Sequence, residues 1–509
     1  MTKLAYFTVF LLALAACENR ERPEAFLKNV AEKMGSLQNL TKAGSISIYA
    51  SGTMNKTAEG QGLSPNSLSN GPYSEVLAVD LESGAVFRDY KESRFDGTLE
   101  RFGELFSSDT LRQLLIRDYG IVIPFRALSF AEERAQLRRR IPHFLVNELL
   151  EKPGGLKYGE SENGFASVEG GLASGQAVTL DVDPSSQFVR KVSFDWLIPG
   201  RGRGEIDWSY DDYRQVADGV HVPFAYSSRV GKIDYITMTV DSVLLDRSEN
   251  FQPPSDLSVL PVRDQQPDRD RTPLEFRELA KGVFIVPEVR SGFAPLVAEF
   301  DEFLVVVDAP ASFPLLGQIP PSETDPGASM SWPCLEFVSA LERKWPNKRV
   351  AYVVLTHHHE DHIGGIRAFV ASGATVLGGK HAVAAAQALA NLSSPLIDDQ
   401  LGDLRASFQA ETVDETRRIS DGQQVLDIIP MGENPHAEGM LVISLPNLKM
   451  LYVSDFVTPG PVDGYPEPNH AALDRFFARW VDETGLAADS VWSMHGRMPL
   501  TKAHFERLK

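Results

Sequence analysis

Thr356-His357-His358-His359-Glu360-Asp361-His362-Ile363-Gly364-Gly365 is the stretch on which the reading of this chain turns. The apolar run Val350–Leu355 precedes it and the run Ile363–Ala371 follows, so it lies where a strand ends and a helix begins. His357 and His359 are two residues apart, and an extended backbone presents both on one side. Asp361 and His362 lie across the turn, free to face a second centre. Imidazole and carboxylate are ligands for borderline divalent metals such as zinc. An exposed, histidine-rich helix start is the bland alternative. It loses ground because further ligand-type residues stand just beyond later apolar runs. His436 lies in Asn434-Pro435-His436-Ala437-Glu438-Gly439, after the run that ends at Pro430. Asp455 follows Leu451–Ser454, and His495 follows Val491–Met494. Folds that layer sheets and helices gather chemistry at such strand ends.

The surrounding pattern agrees. Short strand-like runs alternate with helical ones from Val283 to Met494, which argues for sheets layered with helices, an α/β arrangement. Phe303–Val307 is separated from Leu296–Phe300 by Asp301-Glu302, the spacing of a tight hairpin.

With all these positions in order, residues 275–509 resemble the metallo-β-lactamase superfamily. The resemblance implies a four-layered αβ/βα sandwich with a two-metal site at the sheet edge. It implies that His357, His359 and His436 hold one metal, that Asp361, His362 and His495 hold the other, and that Asp455 bridges them. Asp361 and Asp455 are then also the catalytic carboxylates. Leu279-Ala280-Lys281-Gly282-Val283-Phe284 matches the usual start of such a domain, and Asp308 is expected close behind the metals. The implied cofactor is a pair of divalent ions, zinc foremost, with manganese or iron as alternatives. Two such ions about 3.5–4 Å apart activate water for attack on an electrophilic centre. The expected activity is hydrolysis of an ester-, lactone- or amide-like bond in a small molecule.

Departures from known branches narrow this. Asp455 stands where true β-lactamases carry Cys or Ser. Glyoxalase II-like enzymes add a helical domain after the last histidine, and here 14 residues follow His495. Quorum-signal lactonases often carry a tyrosine shortly after the bridging aspartate, where this chain has Phe456-Val457-Thr458. A mononuclear iron sulfur dioxygenase and a non-enzymatic envelope binding protein stand as alternatives. Among the other histidines, His358 is read with Glu360 as a brace of the loop, and His381 as a cap or surface residue at a helix start. His143, His221, His470 and His504 are read as structural or without context. Pro310–Pro333 is a long loop that would serve as a lid or a passive insertion.

Residues 46–250 read as β-rich. Val192, Phe194 and Trp196 alternate with polar neighbours, as do Ile206, Trp208 and Tyr210, and Ile236, Met238 and Val240. A charged helical stretch near Ser129–Lys152 interrupts them. The segment Tyr213–Pro223 resembles a strand–turn–strand of lipoprotein-carrier-like domains, which implies a curved antiparallel sheet for residues 17–250. No residue set there suggests chemistry. A partner in the envelope is the role left to it. Residues 251–273 carry five prolines and read as a linker to a domain over 274–509.

The chain opens Met1-Thr2-Lys3, then an apolar stretch from Leu4 to Ala16, then Cys17. This is too short to span a bilayer and matches a secretory signal over residues 1–16. Leu14-Ala15-Ala16-Cys17 resembles a bacterial lipoprotein signal, with Cys17 as the lipidated residue. The expectation is an exported protein anchored by lipid on the periplasmic side of the envelope, with the outer membrane open as its address. Cys334, the second of 2 cysteines, is expected to be buried. The 69 acidic residues outnumber 50 basic ones and give a net charge of −19, which disfavours nucleic acid as a partner.

Overall fold

The computed structural model describes residues 22–56, 69–93, 99–117, 120–126, 130–152, 155–160, 164–173, 175–198, 202–231, 233–247, 251–264, 273–289, 293–310, 332–391, 401–457, 471–496 and 498–508. The expected signal, Cys17 and most of the Pro310–Pro333 loop lie outside the described residues.

The β-rich part forms one sheet of 15 strands, built almost wholly from antiparallel neighbours. Its longest strands are Ser45–Lys56, Ser69–Asp80, Gly202–Ala217, Val220–Val230 and Ile233–Leu245. The Tyr213–Pro223 segment forms a hairpin as expected: Gln215 faces His221, and Gly219 takes the left-handed φ of 67° at the turn. The helices Ala131–Arg139 and Pro142–Glu151 fall in the predicted helical stretch. With Pro23–Met34 they cover one face of the sheet, over Ile46, Val79, Val222 and Met238 in one core and Val168, Leu180 and Val192 in another.

The segment expected to be a linker differs. Ser258–Val259 and Arg263–Asp264 add parallel to the strand Ile121–Arg126. Phe251 and Leu257 pack on Ala78, Phe87, Leu105, Leu115 and Val122, the opposite face of the sheet. These strands are two residues long, too short for a period to show, and the apolar contacts are made by isolated side chains. Residues 265–272 lie outside the described residues.

Polar order inside this sheet was not foreseen. Arg112, Glu104, Arg88 and Glu75 sit on four neighbouring strands, and Arg140 closes the row from the helix side. Glu75 also accepts from Tyr73 (2.8 Å) and Tyr226 (2.8 Å). Burial alone would raise its pKa, but Arg140 and Arg88 bring it down to about 2.

His143 carries a pH prediction. It is buried, with Nε2 donating to the Met34 carbonyl at 3.0 Å. Burial brings its pKa down to about 4; the Met34 bond opposes this and His221 adds to it. The neutral ring is the one the fold accepts. Its stabilising share is therefore complete above about pH 6.5 and is lost as pH falls towards 4, at a cost of roughly 3 kcal/mol. Thermal melts between these pH values should show the loss, and His143→Gln should flatten the profile.

Downstream, strands from Arg277 to Thr412 form a 7-stranded sheet, and strands from Arg417 to Thr501 form a 6-stranded one. Their inner faces meet through Val305, Val307 and Val354 of one and Leu426, Ile443 and Tyr452 of the other. Helices Trp332–Lys344, Ile366–Ala371 and Lys380–Ala390 cover the outer face of the first sheet. Helix Ala471–Thr484 covers the second through Leu473, Phe477 and Trp480. The order of layers is α, β, β, α, as expected. Among the described residues, no helix is long and apolar enough to cross a membrane.

Candidate metal centre

The site forms at the ends of strands from both sheets. Phe303–Val307 ends at Asp308, Arg349–Leu355 leads into Thr356 and His357, Met450–Val453 leads to Asp455, and Ser490–Ser493 leads to His495. The Leu441 N–H donates to the Thr356 carbonyl at 2.8 Å and joins the two sheets beside the site. Asp308 has a φ of 66°, costly for a residue with a side chain, and this turns its carboxylate inward. That carboxylate accepts from the Thr356 N–H (2.8 Å) and hydroxyl (2.9 Å) and from His362 Nδ1 (3.1 Å).

Two groups of ligand-type atoms result. His357, His359, His436 and Asp455 make one; Asp361, His362, Asp455 and His495 make the other. In the first, His357 Nε2 lies 3.2 Å from His436 Nε2. In the second, His362 Nε2 lies 3.3 Å from His495 Nε2. Ligand nitrogens at about 2.05 Å around a tetrahedral zinc ion stand about 3.3 Å apart, so both pairs fit a shared ion. Asp455 divides its carboxylate between them. Oδ2 faces His436 (3.0 Å) and His357 (3.5 Å), while Oδ1 faces His362 (3.0 Å) and His495 (2.7 Å). Asp361 approaches His362 at 3.4 Å and His495 at 3.8 Å. All seven predicted ligand positions and Asp308 are thus brought together.

The electrostatics separate the groups. Burial, reinforced by the neighbouring His362, brings His357 down to about 3. Burial and His357 likewise hold His359 well below the ordinary range, so this pair is neutral and has lone pairs to offer. His362 goes the other way: burial opposes its charge, but Asp361, Asp455 and Asp308 raise it well above the usual value. Burial would raise Asp455, yet the histidines around it, His362 first, keep its carboxylate ionised.

Sequence reasoning missed the residues that set the ligands' angles. Ser454 bonds to His362 Nδ1 (2.9 Å) and donates to Asp455 Oδ1 (3.0 Å). Thr356 Oγ1 lies 3.1 Å from His357 Nδ1. The Asn434 side-chain Oδ1 accepts from the His436 and Ala437 N–H groups, both at 2.9 Å. Each is a polar residue beside a ligand, and that adjacency is the signal that was available. Phe293 sets its ring edge-on to His495, with centroids 4.7 Å apart. His381, read as a cap or surface residue at a helix start, does not cap the helix: Gly379 holds that place, and His381 Nε2 donates to Glu438 Oε2 at 2.9 Å. The Glu360 side chain lies outside the described residues.

Cys334 is buried as expected and donates to the Pro310 carbonyl at 3.3 Å. It packs behind the histidine loop. A Cβ on Gly365 would stand 2.3 Å from Cys334 Sγ and 2.7 Å from Pro310 O. Gly365→Ala should therefore cost roughly 1–3 kcal/mol in a denaturant titration, and the added change Cys334→Ala should recover part of it.

Residues 324–487 match the family profile described as the metallo-beta-lactamase superfamily. Over these residues the chain is similar to that superfamily, whose fold is that of metal-dependent hydrolases, and its His/Asp groups could hold metal. No curated protein is significantly similar. Solved structures with a similar fold include metallo-beta-lactamase FIM-1 from Pseudomonas aeruginosa in its mono-zinc form, at 14% identity over 47% of this chain and 95% of that one, with a TM-score of 0.32. A metallo beta lactamase from Hirschia baltica is 17% identical over 47% and 96%, with a TM-score of 0.30. One from Erythrobacter litoralis, with beta mercaptoethanol in its active site, is 15% identical over 46% and 94%, with a TM-score of 0.30.

Proposed function

We propose that the C-terminal domain is a dinuclear metal-dependent hydrolase acting on an ester-, lactone- or amide-like bond of a small molecule. The observation that carries this is the divided carboxylate of Asp455, with one oxygen toward each histidine group. Two divalent ions bound there, zinc first among candidates, would supply Lewis acidity and water activated near neutral pH. The chain's own groups do the rest. His357, His359 and His436 would hold one ion from a buried pocket. Asp361, His362 and His495 would hold the second from the more open side. Asp308 and Ser454 hold His362 by Nδ1 and leave Nε2 for the metal. Asp455 keeps the two positions close and offsets part of their charge. The remaining positive charge favours substrates that develop negative charge in the reaction.

A panel of ester, lactone, thioester, β-lactam and phosphodiester substrates tests the reaction, with zinc-, manganese- and iron-loaded protein. The expected result is chelator-sensitive hydrolysis that His357→Ala removes. Oxygen uptake with a persulfide and one iron per chain would contradict it. The same proposal places the protein outside the cytoplasm, tethered by lipid on Cys17. Lipid labelling that survives Cys17→Ala would refute the tether.

A further inference from the structure

The N-terminal turn of helix Lys380–Ala390 meets both arms of the first histidine group, and neither arm needs it for ligation. On one side, the His358 ring lies between His359 (4.9 Å, centroid to centroid) and His381 (5.7 Å). On the other, Glu438 belongs to the His436 loop. It is gripped by His381 at 2.9 Å and by Lys380. Beneath these side chains the backbones touch. A Cβ on Gly379 would lie 2.1 Å from the Gly439 carbonyl oxygen and 3.0 Å from Gly439 Cα. Gly379 has a φ of −65° and a ψ of 163°, angles open to any residue. The glycine is therefore required by space, not by conformation.

We propose that Gly379 and His381 are positioning residues that fix the separation between His357–His359 and His436, and with it the affinity of the first metal position. The contributions are unequal. Lys380 and Glu438 are 62% and 50% exposed, and an ion pair that open contributes little. The His381 side chain is 18% exposed and is the firmer hold on Glu438. The Gly379–Gly439 contact admits no displacement inward. An added methyl must push the loop outward, three residues from His436. Removing the His381 imidazole leaves Glu438 only the exposed Lys380 ion pair and takes away the surface on which His358 rests.

This inference rests on the dinuclear reading, and the test separates the two. Zinc is titrated against a competing chelator into the full chain and into Gly379→Ala, His381→Ala, His381→Gln, His436→Ala and Gly373→Ala. Gly373 has a φ of 85° with nothing within 4 Å of its Cβ, so its alanine variant strains the fold with no route to the site. The expected result is two sites in the parent. Gly379→Ala should weaken one of them by about 10–100-fold, the range for losing a ligand's support, and His381→Ala should weaken the same site by less. His381→Gln keeps an N–H for Glu438 and should restore part of that loss. His436→Ala should abolish the affected site, and Gly373→Ala should leave both sites unchanged. A parent that binds two ions, with Gly379→Ala and His381→Ala indistinguishable from it, overturns the positioning role alone. Equal weakening of both sites, matched by Gly373→Ala, also overturns it. A parent that binds no ion overturns both readings.

Discussion

Asp455→Asn should hold at most about one metal ion per chain and lose at least about 1,000-fold in kcat/KM, equivalent to about 4 kcal/mol of transition-state stabilisation. The size follows from the double duty of the residue. Its oxygens lie within 3.5 Å of four imidazole nitrogens, two in each group. Asparagine keeps the shape but removes the charge and replaces one acceptor by a donor. That donor would point at a histidine nitrogen or at a cation, and both are unfavourable. The effect should therefore exceed the loss caused by removing a supporting group such as Ser454. Elemental analysis and steady-state kinetics on the same preparation check both halves. A variant that keeps two ions and parental kcat/KM would show that the carboxylate does not bridge.

Arg367→Met should be among the most destabilising single changes in the C-terminal domain. Arg367 is 1% exposed, and its guanidinium donates to the carbonyls of Leu389 (3.0 Å), Ala390 (3.2 Å) and Gly402 (2.5 Å). It closes the C-terminal end of helix Lys380–Ala390, where unpaired carbonyls and the helix dipole both favour a cation. Methionine fills the volume but removes these charge-assisted bonds, although Ala390 keeps the Leu404 N–H (3.1 Å) and Gly402 is exposed, so the cost is roughly 3 kcal/mol. The melting transition of this domain should fall by on the order of 10 °C. The same helix carries Gly379 and His381 at its other end, so metal affinity should fall only when that end also moves. A melting temperature within about 2 °C of the parent would show that the carbonyls find other donors.

Much of the site was legible in the sequence because its ligands carry two signals at once. Each is a metal-binding residue type, and each stands at the end of an apolar run. His357, His359, Asp361 and His362 fall within one six-residue stretch, and His436, Asp455 and His495 follow three further runs. Layer order was legible for a similar reason, since strand and helix periods alternate from Val283 onward. What stayed hidden depends on contacts between distant segments. Gly379 and Gly439 are 60 positions apart in the chain, and nothing local marks their approach. The row Arg112–Glu104–Arg88–Glu75 uses ordinary charged residues on neighbouring strands, a pattern that also describes a solvated face. His381 was read from its place at a helix start, but its partner lies on another loop. The strand pairings of residues 258–264 were masked by prolines, which signal a linker wherever the neighbouring sheet is unknown.

The proposed two-metal centre is tested most directly by the number of metal ions the protein holds. Purified full-length protein, expressed with zinc, manganese or iron and freed of loosely bound ions, should contain about two divalent ions per chain. Adding His357→Ala and His359→Ala should reduce that number to about one or less. A protein that holds no ion after any of these supplements would contradict a metal centre at these residues.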